Sequence, residues 1–503
     1  MLGLLPNIYV LIYLDGICAN LPPIADKAKK NMKIGYKTQQ KYRFSDGSYS
    51  VWGPKQNRNG EMWLTSFTVK AFVQASKYID IDKRNVMESI DWIIRHQGED
   101  GCFQNKGWAI HKEFKGDSTL LSAWVLVTLL EAKPIMKKWE ADGPNPEQHG
   151  KNIERVIERA YQCLMKNVTK IFGPNVTQPN IYLQSMVTYA TVLYESKMNK
   201  EQNRDQDLSE QKTTDDLLTD LMNASNSDMT GKLFWTAGKG NKARDVEITA
   251  RNILSLTLKN KKSEALKGIR WLATNRNSQG GFVSTQDTMV ALEAIAAYSI
   301  MNNCKGIAFE NTDLKIEVSA GSVQSFIVND ENKLQCQKQK IGQLSSSSDV
   351  SLKASGNGCF TVQTILRYHT KNSPSQQAKG RSIQQGFNLA VTQRKDDLTV
   401  CASYTGTKET DMVVIEIELL SGYTDNELFR LQGSENSRLP VQKYEYDEKE
   451  RKIILYFDEM LKRRNCYYIK LKKVMEVKDI KPAIATIYDY YNPENTFITN
   501  YNM

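Results

Sequence analysis

Two stretches of the chain are near copies of each other. Asp91–Phe103 reads DWIIRHQGEDGCF and Arg270–Phe282 reads RWLATNRNSQGGF. Each runs from a Trp through apolar residues into a polar turn that ends on Gly-Cys-Phe or Gly-Gly-Phe. A looser third copy, YRFSDGSY, spans Tyr42–Tyr49. Gly47 and Gly101 stand 54 residues apart, and Gly101 and Gly281 stand 180 apart, close to three more units of similar length. Such a period points to an array of supersecondary units, here helical hairpins. An amphipathic helix stops at Asp-Gly or Gln-Gly, where glycine takes the left-handed conformation at no steric cost. The next helix opens on a hydroxyl cap, as at Ser284–Asp287 ahead of Met289–Tyr298.

The segments between the copies fit that reading. Met62–Ile79, Ser118–Ala132, Ile181–Tyr194 and Val246–Leu258 are apolar over most of their circumference, which places them between other helices rather than on a surface. Hairpins with inner and outer helices close into an α/α toroid, or stack as an open helical solenoid. The closed ring is the expected arrangement.

After about residue 300 the texture changes. Leu314–Val318, Phe326–Val328, Phe360–Tyr368, Phe387–Val391, Leu398–Tyr404, Val413–Leu420, Ile453–Phe457, Cys466–Leu471 and Ala483–Tyr490 are short β-branched or aromatic runs. Their spacing is that of β-sandwiches. A polar stretch at Asn372–Gly386 divides them. The expected order is an all-α domain, a short β segment, and a β-sandwich of ordinary domain size.

Charge and cysteine usage narrow the function. The net charge of +10 comes from 67 Lys+Arg against 57 Asp+Glu interleaved along the chain, with no nucleic-acid footprint. Glu195–Asp216 is polar and charged, and reads as an exposed loop. The apolar start, MLGLLPNIYVLIYLDGICA, has no cation ahead of it and is broken by Pro6, Asn7 and Asp15, so it reads as an internal helix rather than a leader. No uncharged run long enough to span a membrane follows. The eight cysteines stand singly, without CxxC or Cys/His clusters, so neither metal nor cofactor is expected. Sequons at Asn167, Asn175 and Asn223, with dispersed cysteines, point to the secretory route.

Helical rings also host terpene cyclases and prenyltransferases. These need an acid cluster holding Mg²⁺, a strong acid, or an Asp/Cys/His zinc site. Asp80-Ile-Asp82 lacks further acids, and Asp215-Asp216 with Asp220 falls off the Asp-Asp-x-x-Asp spacing. The four histidines, His96, His111, His149 and His369, form no ligand set. The chain is not expected to be an enzyme of this class.

Six ordered motifs resemble the α2-macroglobulin family, which includes thioester-containing proteins and complement component three. They are PNIYVLIYL (6–14), DGSYSVWG (46–53), MWLTSFTVKAFVQASKYIDID (62–82), GGFVSTQDTMVAL (280–292), LLSGY (419–423) and KPAIATIYDYYNP (481–493). The resemblance implies a thioester-domain-like α6/α6 toroid over residues 1–303 and the C-terminal half of a CUB-like β-domain over 304–372. A linker over 373–384 and a receptor-binding β-sandwich over 385–503 would follow. It implies a secreted endopeptidase inhibitor or innate-immune protein acting on proteases or microbial surfaces. The family's Gly-Cys-Gly-Glu-Gln motif does not occur in these 503 residues. The expectation is therefore a C-terminal part that complements a missing N-terminal portion and has no covalent activity of its own. A non-covalent fragment binding a partner chain or surface is the alternative.

The resemblance also assigns residues. His111, in WAIHKE, matches the family's thioester-reactive histidine. Disulfides Cys102–Cys163 and Cys401–Cys466 are implied, with Cys18, Cys304, Cys336 and Cys359 unassigned. Where vertebrate relatives place two receptor-reading lysines, this chain has Glu427 and Leu431, with Arg430 nearby, a charge reversal that opposes acidic receptors. Cys336 is followed by Gln339 at thioester spacing, but Gln335 and Gln337 flank it in place of glycine. An exposed polar turn is expected there.

Overall fold

The computed structural model describes residues 3–503 apart from 20, 52, 55–58, 108–113, 115–117, 142–145, 174–175, 177–178, 199–211, 239–240, 278–279, 302–312, 321, 341–348, 358–361, 366–385, 407–409, 427–431, 434–438 and 494. Its described residues divide into two compact units. One holds residues 1–14, 20–298 and 380–503, and the other holds 15–19 and 299–379.

The helices of the first unit are α1 (Leu5–Gly16), α2 (Pro22–Gln40), α3 (Met62–Ala75), α4 (Lys83–Arg95), α5 (Ser118–Ala141), α6 (Pro146–Phe172), α7 (Ile181–Met198), α8 (Thr214–Asn223), α9 (Lys242–Leu258), α10 (Lys262–Thr274) and α11 (Thr285–Met301). Every residue of α3 is buried, as is nearly every residue of α7. Such helices can only sit between others. Packing runs from α3 to α5, α5 to α7 and α7 to α9. Buried side chains link α9 to α11 (Glu247 with Gln286) and α11 back to α3 (Glu293 with Lys70). The apolar start is α1, whose Leu5, Ile8, Tyr9 and Leu11 belong to the same core.

One turn recurs and sets the helices in place. At residues 44–48, 98–102, 228–232 and 277–281 the first N–H donates to the carbonyl of the fifth residue at 2.8–3.0 Å. In each, the glycine at the fourth position has positive φ: Gly47, Gly101, Gly231 and Gly280. A side chain at Gly101 would collide with the Arg159 carbonyl of α6 at 2.4 Å, so this turn seats directly on that helix. Just past three of the turns, an aromatic N–H donates to a hydroxyl of the following buried helix. Tyr49 reaches Thr65, Phe103 reaches Ser122 and Phe282 reaches Thr288, at 3.0, 2.7 and 2.9 Å. Trp235 does the same to Thr249 at 3.1 Å, two residues further from its turn. The fourth turn, Asp228–Lys232, joins the short antiparallel strands β1 (Asn226–Ser227) and β2 (Leu233–Phe234) and belongs to the repeat although no Trp-bearing copy announces it in the sequence.

Two helix ends differ from the apolar runs. α3 stops at Ala75, where the Ser76 hydroxyl donates to the Val73 carbonyl at 2.7 Å. α5 continues through Pro134 to Ala141. Ser118–Trp139 is thereby long and apolar enough to cross a membrane, a span that the shorter run hid, and 78% of its most apolar window is buried in this fold.

The sandwich pairs two sheets, β10-β13-β7-β6 with β9 on β13, and β11-β12-β8-β14-β15. The first holds β6 (Phe387–Arg394), β7 (Asp397–Tyr404), β9 (Tyr423–Asp425), β10 (Gln432–Gly433) and β13 (Asn465–Lys473). The second holds β8 (Val413–Glu418), β11 (Lys443–Asp447), β12 (Lys452–Phe457), β14 (Ala483–Asp489) and β15 (Thr496–Tyr501). β6 alternates strictly between buried and exposed positions, as a strand covered on one face must. Val400, Ile415, Ile417, Leu455, Phe457, Tyr467 and Ile487 form the core between the sheets. Cys401 and Cys466 stand opposite each other on β7 and β13 and are joined by a disulfide with Cα atoms 4.0 Å apart. Cys102 joins Cys163 of α6 with Cα atoms 5.3 Å apart. Cys18 is also disulfide-bonded.

The second unit carries the sheet β4-β3-β5, built from β3 (Asp313–Ala320), β4 (Ser322–Asn329) and β5 (Ser351–Asn357). Leu314, Ile316 and Val318 are buried on the central strand, while β5 is exposed throughout. The strand expected at Phe360–Tyr368 falls mostly outside the described residues, and its described part, 362–365, is irregular. The expected strands do not include β1, β2, β5, β9, β10, β11 or β15.

Candidate functional site

Five charged or polar side chains meet where the buried helices α7, α9 and α11 come together. Glu247 and Arg251 lie one turn apart on α9, among buried Val246, Ile248, Thr249 and Asn252, and form a buried ion pair. Glu247 also accepts hydrogen bonds from the Tyr182 hydroxyl at 3.0 Å and from the Gln286 amide. The Arg251 guanidinium is only 2% exposed, 5.0 Å from the Tyr182 ring centre and 5.6 Å from that of Trp124. Cation–π contacts of this kind gain strength when desolvated. Burial opposes the charge on Arg251, but Glu247 and Tyr182 outweigh it and raise its pKa. Burial likewise pushes the Tyr182 phenol up.

Asp287 opens α11. Its carboxylate accepts the Ser284 and Val283 N–H groups at 2.8 and 3.1 Å, and the Ser284 hydroxyl at 3.1 Å. Burial, helped by the neighbouring Glu247 carboxylate, nevertheless pushes it up to about 7. The group can therefore hold or release a proton near neutrality.

The sandwich reaches this region through the end of β14. The Tyr490 hydroxyl lies 3.3 Å from the Thr285 hydroxyl, beside Asp287, and Arg244 of α9 faces Asp411 at 3.9 Å. The turn is held from within. Asp489 accepts the Tyr491 and Asn492 N–H groups at 2.9 and 3.1 Å, and Tyr490 N–H donates to Met412 at 2.8 Å. Burial raises Tyr491 well above the ordinary phenol range, with Tyr490, Asp411, Glu247 and Tyr182 adding to it. The seam therefore combines a paired charge cluster from the helices with an aromatic turn from the sandwich.

A second cluster joins other buried helices. Lys70 of α3 contacts both Glu293 oxygens at 2.7 and 2.9 Å, and the Tyr9 hydroxyl reaches Glu293 at 3.2 Å. Among the described residues no group of three or more His, Cys, Asp or Glu side chains could hold a metal.

Of the stretches singled out from the sequence, the Ser284–Asp287 cap and the KPAIATIYDYYNP motif, which holds Tyr490, lie at the seam. His111, Asn175, Glu427, Arg430 and Leu431 fall outside the described residues. Asn167 sits within α6 with its amide donating to the Cys163 carbonyl at 2.9 Å, whereas Asn223 is exposed at the end of α8. Cys336 is exposed and free, next to exposed Gln335 and Gln337. Glu247 and Arg251 were passed over although one signal was available, namely two charges in the midst of a buried helix.

Three matches agree with this architecture. A family model for the A-macroglobulin TED domain matches residues 1–298, and one for the A-macroglobulin receptor binding domain matches 408–502. Ovostatin of Gallus gallus is 30% identical over 527 residues, covering 99% of this chain and 32% of its own length. The chain thus spans about a third of the length of this curated relative.

Proposed function

Because the chain belongs to the A-macroglobulin family, we propose that it serves in a secreted, macroglobulin-type endopeptidase inhibitor or thioester-family defence protein. The carrying observation is that the two family domains follow in order within one compact unit, the sandwich turn at Tyr490 meeting the buried helices at Thr285. The closed sequence of contacts α3-α5-α7-α9-α11-α3 supports an α/α toroid over 1–303. The three-stranded sheet supports a partial CUB-like domain over 304–372, with a linker at 373–384 and the receptor-binding sandwich over 385–503. These residues contribute binding and docking rather than turnover.

We assign no acylating activity to these 503 residues. Cys336 alone has Gln at the third position after it, and it is exposed and free among polar neighbours, where a thioester would hydrolyse. The purified chain should incorporate no labelled methylamine. Uptake abolished by Cys336→Ala would refute this assignment. The alternative reading, non-covalent binding of a partner chain or surface, draws on β5, an edge strand exposed along its length, since unpaired edges invite association.

The test of the inhibitor reading is to recover the native protein with an antibody against the sandwich. The expected result is a polypeptide well above 57.3 kDa that shields bound endopeptidase from large substrates but not from small ones. A species of that mass with no effect on any endopeptidase would contradict it.

A further inference from the structure

The helix α2 carries a charge pattern that neither its folding nor the seam explains. From Lys27 to Phe44 the chain holds Lys27, Lys29, Lys30, Lys33, Lys37, Lys41 and Arg43 without a single acid. The helix buries one face, Ala28, Met32, Gly35 and Gln39. Gly35 lies so close to the residues leading into α1 that a side chain there would meet backbone atoms of Gly3 and Leu4 at 2.9 Å. Tyr36 packs edge-on against Phe72 of α3 at 4.9 Å. With 3.6 residues per turn, Lys30, Lys33, Lys37 and Lys41 then fall on the opposite side, flanked by Lys27 and by Ile34, which is 57% exposed. At 1.5 Å per residue the row is roughly 20 Å long.

These ammonium groups are not spoken for. Arg43 is held by Glu88 at 2.5 Å, but among the described residues Lys27, Lys30, Lys33, Lys37 and Lys41 have no carboxylate within ion-pair distance. Asp26 stands at one end of the row, and Asp82, across from Tyr36, is occupied capping α4 through the Asn85 N–H and amide. Like charges three or four residues apart weaken a helix, so the row works against the helix that bears it.

We propose that the outward face of α2 binds a linear sulfated polysaccharide of the extracellular matrix or cell surface. A straight file of lysine point charges matches a straight polyanion. Two other polyanions fit less well. An anionic membrane is bound by a helix whose apolar face is free to enter the lipid, and here that face is turned into the core. Single-stranded nucleic acid is held by aromatic stacking along a basic groove. The row offers no exposed aromatic side chain, since Tyr36 is partly buried against Phe72. The disulfides Cys102–Cys163 and Cys401–Cys466 place the chain in an oxidising compartment, where sulfated glycans are the abundant polyanions.

The experiment is binding of the full chain to immobilised heparin across a salt series. The variants are Lys30→Glu/Lys33→Glu/Lys37→Glu and the charge-matched Lys462→Glu/Arg463→Glu/Arg464→Glu, which alters an exposed basic run on the sandwich. The native chain should be retained at ~0.15 M salt. The α2 variant should bind at least about tenfold more weakly, its salt dependence falling by roughly three ions by the counterion-release argument. The control should change by about twofold or less, as expected of a charge remote from the site. A Lys→Gln triple at the same α2 positions, with unchanged circular dichroism, separates loss of binding from loss of fold. Equal losses in both variants, no retention of the native chain at ~0.15 M salt, or α2-dependent binding to phosphatidylserine vesicles or DNA in place of heparin would each overturn the proposal.

Discussion

The helical domain and the sandwich solve the problem of a unique core in different ways. The sandwich core is apolar and alternates in register, so two-residue periodicity tells each side chain which way to face. The helical core is largely apolar with scattered hydroxyls such as Thr65, Thr188 and Thr249, and it takes in Lys70 with Glu293 and Arg251 with Glu247. Near-identical repeats offer many equivalent ways to pack one buried helix on another. We read the buried pairs as devices that select one arrangement, because a charge left in the wrong place is uncompensated. The difference teaches that uniqueness comes from pattern in the sandwich and from paired charge among the helices.

The largest expected effect tests that contrast. Arg251→Ala leaves the Glu247 carboxylate buried without its cation and should destabilise the helical domain by about 3–5 kcal/mol in urea unfolding. Replacing the pair together, Arg251→Met with Glu247→Leu, should be close to neutral in stability. If packing selection is the pair's task, the double variant should show broadened NMR signals or weaker hydrogen-exchange protection in α7 and α9. A single variant that costs no more than an exposed ion pair would break the comparison.

Next come the disulfides. Cys102–Cys163 and Cys401–Cys466 close loops of similar length, 61 and 65 residues apart in sequence. Chain entropy alone predicts a loss of about 4 kcal/mol for removing either one. Calorimetry of Cys102→Ala/Cys163→Ala and Cys401→Ala/Cys466→Ala should therefore show similar losses. A markedly smaller loss in the sandwich would mean that the ladder between β7 and β13 already holds those strands.

A smaller effect belongs to pH. Asp287 has a folded pKa of about 7, above the ~3.9 of an unfolded aspartate. The folded chain thus binds the proton more tightly. Its contribution to stability grows as pH falls through 7, levels off below about 4, and is lost as pH rises above 7. Between pH 8 and pH 6 the gain should be about 1 kcal/mol, and Asp287→Asn should flatten that profile. A variant with the same slope would assign the titration elsewhere. Smallest is Tyr490→Phe, which removes one hydroxyl contact with Thr285 and should cost about 0.5–1.5 kcal/mol. Ile453→Val, buried inside the sandwich and pairing toward Ile417 and Ala485 at the other end of the ladder from Tyr490, should leave the protection of α11 untouched, whereas Tyr490→Phe should lower it.

Much of this fold was legible in the residues. α3, α7 and α9 declared themselves by being apolar over most of their circumference, and Gly47 and Gly101 by standing where a helix must stop. The turn at 228–232 was not, because ASNSDMTGKLFW spells it without a Trp-bearing helix before it. β5, SLKASGN, has one large apolar residue, and β15, TFITNY, follows a turn that also closes the seam. β5 lacks the run of β-branched residues that marks a covered strand, whereas β15 carries Thr496, Phe497, Ile498 and Thr499 and was legible as a strand. The site was the least legible. Helical periodicity places Glu247 one turn from Arg251 on a buried helix but cannot say that Tyr182 and Trp124 wait there for it. Nor can Tyr490 be assigned to Thr285, 205 residues away, from either segment alone.

The sandwich turn at Tyr490–Tyr491 meets the charge cluster of the buried helices within one compact unit. Hydrogen–deuterium exchange on the full chain and on Tyr490→Ala/Tyr491→Ala measures this directly. Exchange should rise in 181–190, 244–252 and 283–290, the segments around Tyr182, Glu247 and Asp287, while α3, α5 and the sandwich core stay protected. Unchanged exchange in those three segments, with the turn itself loosened, would show that the sandwich does not close over that cluster.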